Sequence, residues 1–533
     1  MKIRLADLLD IDVMDQGQER MVSADCFRDA QVEQRLEENK LTVYLRANTT
    51  PVKFLRLRWK FAVDEKRHDT VRVYGDAWER GYGDIGWQGI VPERCMPWVC
   101  AVSNDSDIDA DVSDRLTECF GVMVRPAAFC LWQYDPEGLT LWLDVRNGGN
   151  GVVLNGRTLT VCQIHWGEFR KTSAFAALRS FYRQLCDDPL PVYEPVYGSN
   201  NWYYAYGKSS HQEILSDTDY LIQHCQMNKH RPYMVIDDGW QPNACDGPWN
   251  IGNECFPDMK GLADAIRAKG ARPGIWIRFL RDAKRETPCI EAPMRMENNP
   301  DNLDPSHPSV LKKVAEDTKR IVETWGYELI KHDFSTYDIF NAWGMECKSF
   351  MAADGWGFFD QSKTTAEIII AFYKTIQDAT QGKALILGCN VIGHLGAGLI
   401  HINRTGDDTS GVEWERTRKM GVNTLACRML HHGAFYAADA DCVGITGSID
   451  WSLNREWMRA LSVSGTPLFV SCKPGVLDDN ASRELQQAFM ENEKQQNELI
   501  PLEWMETVCP SRWTLNGQEI SFHWFAPEGC PLP

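Results

Sequence analysis

Long apolar runs are missing from this 533-residue chain. No stretch reaches the roughly 18 consecutive apolar residues of a membrane span, so no membrane partner is expected. The amino terminus, MKIRLADLLDIDVMDQ, puts acidic residues where a signal peptide needs an unbroken apolar segment, and a cytoplasmic location is expected. Positive charge is in deficit: 56 Lys and Arg face 74 Asp and Glu, a formal net charge of −18. That balance argues against nucleic acid as a partner and favours a neutral or cationic ligand. The 18 cysteines include no C-x-x-C pair, and many lie in apolar strands, as in Leu387-Gly-Cys389, which points to reduced, buried thiols and not to a disulfide framework. Neither H-x-H nor H-E-x-x-H occurs, and the adjacent His431 and His432 face opposite sides of any strand. No metal and no cofactor are therefore expected.

What is present reads as a large globular protein, with 44% hydrophobic and 24% charged residues. Its length suits a barrel of about 250 residues with accessory domains. Residues 1–190 alternate with period two, as in Lys40-Leu-Thr-Val-Tyr-Leu-Arg46 and Lys53-Phe-Leu-Arg-Leu-Arg-Trp-Lys60, with turn sequences at Asn147-Gly and Asn155-Gly, and predict an antiparallel β-sandwich. Within it, residues 75–84 (Gly-Asp-Ala-Trp-Glu-Arg-Gly-Tyr-Gly-Asp) mix charge and aromatics too densely for a plain connector; either they reach a ligand or they form a packed surface loop. A linking helix over 173–186 precedes a boundary at Asp187-Asp-Pro-Leu-Pro191.

From 191 to 475 strand-like and helix-like segments alternate. Eight strands are predicted, at 192–206, 233–236, 273–279, 329–333, 384–389, 399–403, 434–437 and 466–470. Helices with three-to-four apolar spacing fall at 213–227, 261–269, 309–325, 364–380, 413–430 and 454–462, whereas the glycine-rich link at 391–398 is poor helix material. This is the pattern of an α/β chain folded as a (β/α)8 TIM barrel, whose functional groups sit in the loops after the strands. Residues 476–533 predict a helix at 482–496 and a small C-terminal β domain with a strand near 519–525.

The second predicted strand, Tyr233-Met-Val-Ile, runs straight into Asp237-Asp238-Gly-Trp240. A solvated turn is the plain reading; the chemical one is two hydroxyl acceptors beside an apolar ring face, half of a sugar site. The 20 Trp and 16 Tyr favour the latter. Barrel closure would gather this stretch with Trp202, Trp276, Lys331-His332-Asp333, Cys389, Arg404-Thr-Gly-Asp407-Asp408 and Asp439-Ala-Asp441. A carboxylate after the fourth strand and another after the sixth are what a glycosidase needs, one to attack the anomeric carbon and one to protonate the departing oxygen. Lys331 shares a face with Asp333 by period two and would favour its ionised form, unless the two are only an internal ion pair. Arg404 pairs with Asp407, with Asp408 or with substrate; the spacing does not choose.

These residues resemble glycoside hydrolase family 36, the melibiase-type α-galactosidases, and more distantly the plant raffinose synthases. The likeness covers roughly residues 190–475. It implies a retaining glycoside hydrolase with Asp333 as nucleophile, Asp407 as acid/base with Asp408 the alternative, and Asp237, Asp238, Trp240, Lys331, Trp202, Arg404, Asp408 and Cys389 around the sugar, Cys389 near its second carbon. His332 departs from the family's Trp, Cys389-Asn-Val-Ile-Gly393 from its Cys-x-x-Gly-Gly, and Arg404 from a Trp common among relatives. These departures leave an α-N-acetylgalactosaminide or another α-glycoside as a second substrate, with transfer to a sugar acceptor or sugar binding without turnover as further readings. The expected partner is an oligosaccharide or glycoside; exposed loops on the sandwich permit a homo-oligomer, and nothing specifies one.

Overall fold

The computed structural model describes residues 4–15, 18–61, 71–105, 115–285, 291–347, 349–494, 498–527 and 529. Thr70, first residue of one run in the sandwich, and residues 495 and 496, the end of the predicted C-terminal helix, lie outside the described residues.

Two antiparallel sheets, of six and seven strands, form the amino-terminal part. Alternation explains their packing: along Phe54–Lys60, Leu55, Leu57 and Trp59 are fully buried while Arg56 and Arg58 lie at the surface edge. Indoles fill the gap between sheets. Trp59 meets Trp166 edge-on at 5.7 Å between centroids, and Trp132 of the six-stranded sheet meets Phe120 of the other at 6.3 Å. Asn155 and Gly156 both take positive φ, 50° and 81°, as the tight turn predicted there requires.

Helix Ala174–Tyr182 leads into the parallel sheet. The first six strands, Tyr197–Asn200, Tyr233–Ile236, Arg272–Ile277, Leu329–His332, Leu385–Gly388 and Ile402–Arg404, pair parallel in chain order. The seventh position is divided. Ala437–Asp439 pairs with the sixth strand, Val443–Ile445 pairs with the eighth strand Leu468–Cys472, and the eighth returns to the first. The chain bends between the two halves at Asp441, whose φ is 82°. The ring is a (β/α)8 barrel, with Tyr233, Val235, Leu329, Leu387, Ile402 and Phe469 in its interior cluster.

Several elements differ from expectation for local reasons. The first strand stops at Asn200 because its side-chain oxygen accepts the Trp202 N–H at 2.9 Å and starts a helical turn, Trp202–Ala205. Residues 434–436 belong to a turn closed by the Gly433 N–H on the Tyr436 carbonyl, which moves the seventh strand toward 437–439. Two predicted helices contain π turns, Arg320–Trp325 and Arg418–Val422. The glycine-rich link holds one helical turn, Gly393–Gly396. After helix Asp479–Asn492 comes a three-stranded sheet, Leu499–Pro501, Arg512–Leu515 and Gln518–Ser521. Its last strand ends early because Phe522 and Trp524 turn inward and stack at 5.0 Å. Among the described residues no helix is long and apolar enough to cross a membrane, and fifteen cysteines are free thiols, most of them buried.

Candidate active site

The carboxyl ends of the barrel strands surround an inner cavity of about 90 Å³ whose wall includes Trp202, Asp237, Asp238, Lys331, Asp333, Arg404 and Asp408. Seven of the ten residues singled out from the sequence thus meet at one place. Asn200, Tyr203, Cys245, Trp276, Phe334, Asp441 and Cys442 complete the wall. A wider outer chamber of about 260 Å³ shares Asp333, Phe334 and Asp408 with it and adds Arg80, Tyr82, Trp343, Met345, Asp407 and Arg416. Another opening, of about 280 Å³, lies at the strands' amino ends among Pro189, Val192, His432 and Pro467; its lining carries no carboxylate, lysine or arginine.

Asp333 directly follows the fourth strand, with both carboxylate oxygens engaged. The Trp276 indole donates to Oδ2 at 2.9 Å, and the Phe334 amide to Oδ1 at 2.6 Å. On the same strand face, Lys331 Nζ lies 2.6 Å from Asp237 Oδ2, which also accepts from the Asn200 amide at 2.7 Å. The lysine pairs with Asp237; no ion pair joins it to Asp333 among the described residues. Burial works against its charge, but Asp237, Cys389 and Asp333 outweigh this and push its pKa well above the ordinary lysine value.

The Asp-Asp-Gly-Trp turn is shaped by its glycine. Gly239 has φ 108°, and a Cβ there would stand 2.4 Å from the Gly207 carbonyl oxygen. Asp238 is held by Gln241 at 2.5 Å, by the Cys245 amide at 3.0 Å and by the Cys245 thiol at 2.8 Å. Trp240 departs from expectation. Its ring is 0% exposed, outside the cavity wall, packed on Trp249 and Trp325 while its indole donates to the Trp276 carbonyl at 2.8 Å. Trp276, with Trp202, faces the cavity in its stead.

After the sixth strand, Arg404 stands 3.0 Å from Asp408 and 2.9 Å from Asp441. Asp441, at the bend of the divided strand, also accepts from the Tyr203 hydroxyl and from the Thr409 amide at 2.7 Å. Removal from bulk water favours the protonated form of Asp408, but Arg404, then Arg80 and Lys331, more than offset this and hold its pKa at about 2. Asp407 borders the outer chamber alone and lies between two cations, Arg80 at 3.1 Å and Arg416 at 2.9 Å.

Arg80 arrives from the sandwich, so the charged segment at 75–84 does reach the barrel mouth. Gly81 donates to the Thr405 carbonyl and accepts from the Asp407 amide, both at 2.9 Å. Asp76, at the same segment's start, lies 2.8 Å from Arg428 and 3.0 Å from His431. Arg80, Arg416 and Trp343 were not singled out as site residues, and only the unusual composition of 75–84 signalled one of them.

No protein-family model matches the chain, and no curated protein matches it in sequence. Solved structures do match in fold. The α-galactosidase TtGalA from Thermus thermophilus, solved with p-nitrophenyl α-D-galactopyranoside, superposes with a TM-score of 0.60 at 16% identity, over 96% of this chain and 98% of that one. Two α-galactosidases of Geobacillus stearothermophilus, AgaA and AgaB, give TM-scores of 0.59 and 0.57 at 12% and 11% identity, covering 96% and 92% of this chain and 79% and 75% of theirs. The chain has the fold of the GH36 α-galactosidases.

On this GH36 fold the positions that depart from the family's motifs, His332, Ile392 and Arg404, sit apart from the inner cavity with one exception, and the matching cysteine, Cys389, lies outside its wall as well. His332, between Lys331 and Asp333, points the other way into the helix layer, its ring against Phe279, Phe372 and Tyr373, and burial pushes its pKa down to about 3. Cys389 is buried in the barrel's inner cluster behind the cavity wall, its sulfur 3.8 Å from Arg404 Nη1. Arg404 is the exception and faces the cavity. Among the described residues, no group of three or more His, Cys, Asp or Glu could hold a metal ion.

Proposed function

We propose that the protein is a retaining glycoside hydrolase acting on terminal α-galactosyl residues, with Asp333 as nucleophile and Asp408, in place of Asp407, as acid/base. The observation that carries this reading is that Asp333 and Asp408 line the same two connected chambers, while Asp407 borders only the outer one, clamped between two arginines. Support for the substrate comes from TtGalA, solved with an aryl α-galactoside and with stachyose.

In the proposed reaction the inner chamber, the smaller of the two, takes one terminal ring. Lys331, Asp237 and Asp238 hold its hydroxyls, with Trp202 and Trp276 at its faces. An Asp333 oxygen attacks the anomeric carbon and forms a glycosyl ester as the glycosidic bond breaks, and the Asp408 proton goes to the departing oxygen. Asp408, now a carboxylate, takes a proton from water, whose oxygen attacks the same carbon and releases Asp333. Two inversions retain the α configuration. The aglycone leaves through the outer chamber beside Trp343 and Tyr82.

The deciding experiment is a screen of aryl α-glycosides, including the galactoside, N-acetylgalactosaminide and glucoside, with anomer-resolved NMR of the first product. An α-galactose first product, abolished in Asp333→Asn, is the expected result. A β first product, or near-normal turnover by Asp333→Asn, rejects the reading; an added sugar acceptor in the same assay separates hydrolysis from transfer.

A further inference from the structure

Two carboxylates on one barrel can perform this chemistry without help from a second domain, yet the sandwich delivers a buried cation to them. Arg80 Nη2 is 3.1 Å from Asp407 and Nη1 is 3.7 Å from Asp408, so one planar guanidinium spans both neighbours. An ion pair backs it on the other side. Glu79 lies 3.0 Å from its Nε, and Glu79 itself accepts from the Gly344 amide at 2.9 Å, the Tyr82 hydroxyl at 3.2 Å and the Asn390 side chain. The Trp343 ring stands 5.3 Å from the guanidinium carbon, within cation–π range. Gly81, the next residue, is paired in parallel with Gly406, immediately before Asp407. Side chain and backbone thus fix the Asp407-Asp408 turn from the same loop.

We propose that Arg80 is a positioning residue: anchored on Asp407, it sets the orientation of the Asp408 carboxyl toward the leaving-group oxygen, and the sandwich is thereby part of the reaction machinery. This rests on Asp408 being the acid/base. The cations around Asp408 are Arg404 from its own loop, Arg80 from the sandwich and Lys331 from the fourth strand; Asp333 faces it across the shared chambers, Asp407 adjoins it and Asp441 shares Arg404 with it, while Tyr203, Tyr206 and Cys389 face it as neutral groups. Removing Arg80 takes away one of three cations that favour the ionised form, so protonated Asp408 persists to higher pH.

The test compares Arg80→Lys, Arg80→Met and the double variant Glu79→Gln/Arg80→Met, which leaves no unpaired carboxylate behind, with Asp408→Ala. For each, kcat and KM are measured across pH on p-nitrophenyl α-galactoside and on a galactosyl disaccharide, with thermal melts alongside. Both Met variants are expected to lose at least roughly tenfold in kcat on the disaccharide and much less on the aryl substrate, with KM little changed. Their basic limb of kcat/KM should move up by roughly one pH unit. Arg80→Lys keeps the charge, so its limb stays while the disaccharide loss persists; this variant decides the matter if the Met variants do not fold. Equal losses on both substrates with an unmoved limb, or wild-type kinetics in Arg80→Lys, overturn the proposal. When Asp408→Ala shows the leaving-group dependence and the Arg80 variants do not, only the role of Arg80 fails; when neither shows it, the acid/base assignment fails.

Discussion

Lys331 Nζ and Asp237 Oδ2 meet at 2.6 Å, with both side chains almost fully enclosed. Replacing the lysine by methionine leaves Asp237 a buried carboxylate without a counter-charge. Breaking such a pair costs about 3–5 kcal/mol. Lys331→Met is therefore expected to lower the melting temperature and to weaken galactose binding in titration calorimetry, with KM affected at least as strongly as kcat.

Adjacent carboxylates with different surroundings should separate in a leaving-group series. Asp408→Ala is expected to slow galactosides with poor leaving groups by about 10²–10⁴-fold and nitrophenyl galactosides far less, since these need little proton assistance. Asp407→Ala removes the partner of Arg80 and Arg416 and should lower all substrates together. The reverse pattern in a plot of log kcat/KM against leaving-group pKa returns the acid role to Asp407.

The cations around Asp408 also set a pH dependence. Its carboxyl is held at about 2 by Arg404, Arg80 and Lys331 against the opposing effect of burial, so the protonated form that the proposed first step requires grows scarcer as pH rises. On a disaccharide, kcat/KM should fall as pH is raised from 5 to 7, approaching about tenfold per unit. The same profile on an activated aryl galactoside should be flatter.

Stability at the junction of sandwich and barrel depends on Asp76, bound by Arg428, His431 and the Tyr182 hydroxyl. Burial opposes its charge, but Arg428 and His431 hold the folded-state pKa far below the usual carboxylate range. A depressed folded value means that its contribution is fully present above the unfolded value near 3.9 and is lost as pH falls from there through the folded value. Asp76→Asn should cost about 3 kcal/mol or more at pH 7, because Arg428 is left buried without its counter-ion. Thermal melts of the wild type and variant should begin to converge only as pH falls below about 4, and the gap should keep closing toward the folded-state value.

Much of this architecture was legible because burial on both faces writes apolar runs into strands such as Tyr233–Ile236, and the polar residues that follow mark the barrel mouth. The carboxylates and Lys331 were legible for the same reason. Other features depend on information that residue order does not carry. Whether Trp240 or Trp276 faces the cavity is decided by the turn at Gly239 and by packing against Trp249 and Trp325. Asp407 and Asp408 have the same side chain at neighbouring positions, and only the backbone course after Gly406 sets one on both chambers and the other on the outer chamber alone. Arg80 belongs to a different sheet system, more than three hundred positions from the acids it touches, and no periodicity links them.

The divided seventh strand gives the barrel an uneven circumference. At the other junctions neighbouring strands are joined by hydrogen-bond ladders, whereas at Ala440-Asp441-Cys442 a single peptide segment passes from one neighbour to the next. Separating the two halves of the seventh strand there would straighten a bend and break no ladder between them. Because the bend also aims Asp441 at Arg404, and Arg404 lies against Asp408, the seam and the proposed proton donor share one guanidinium.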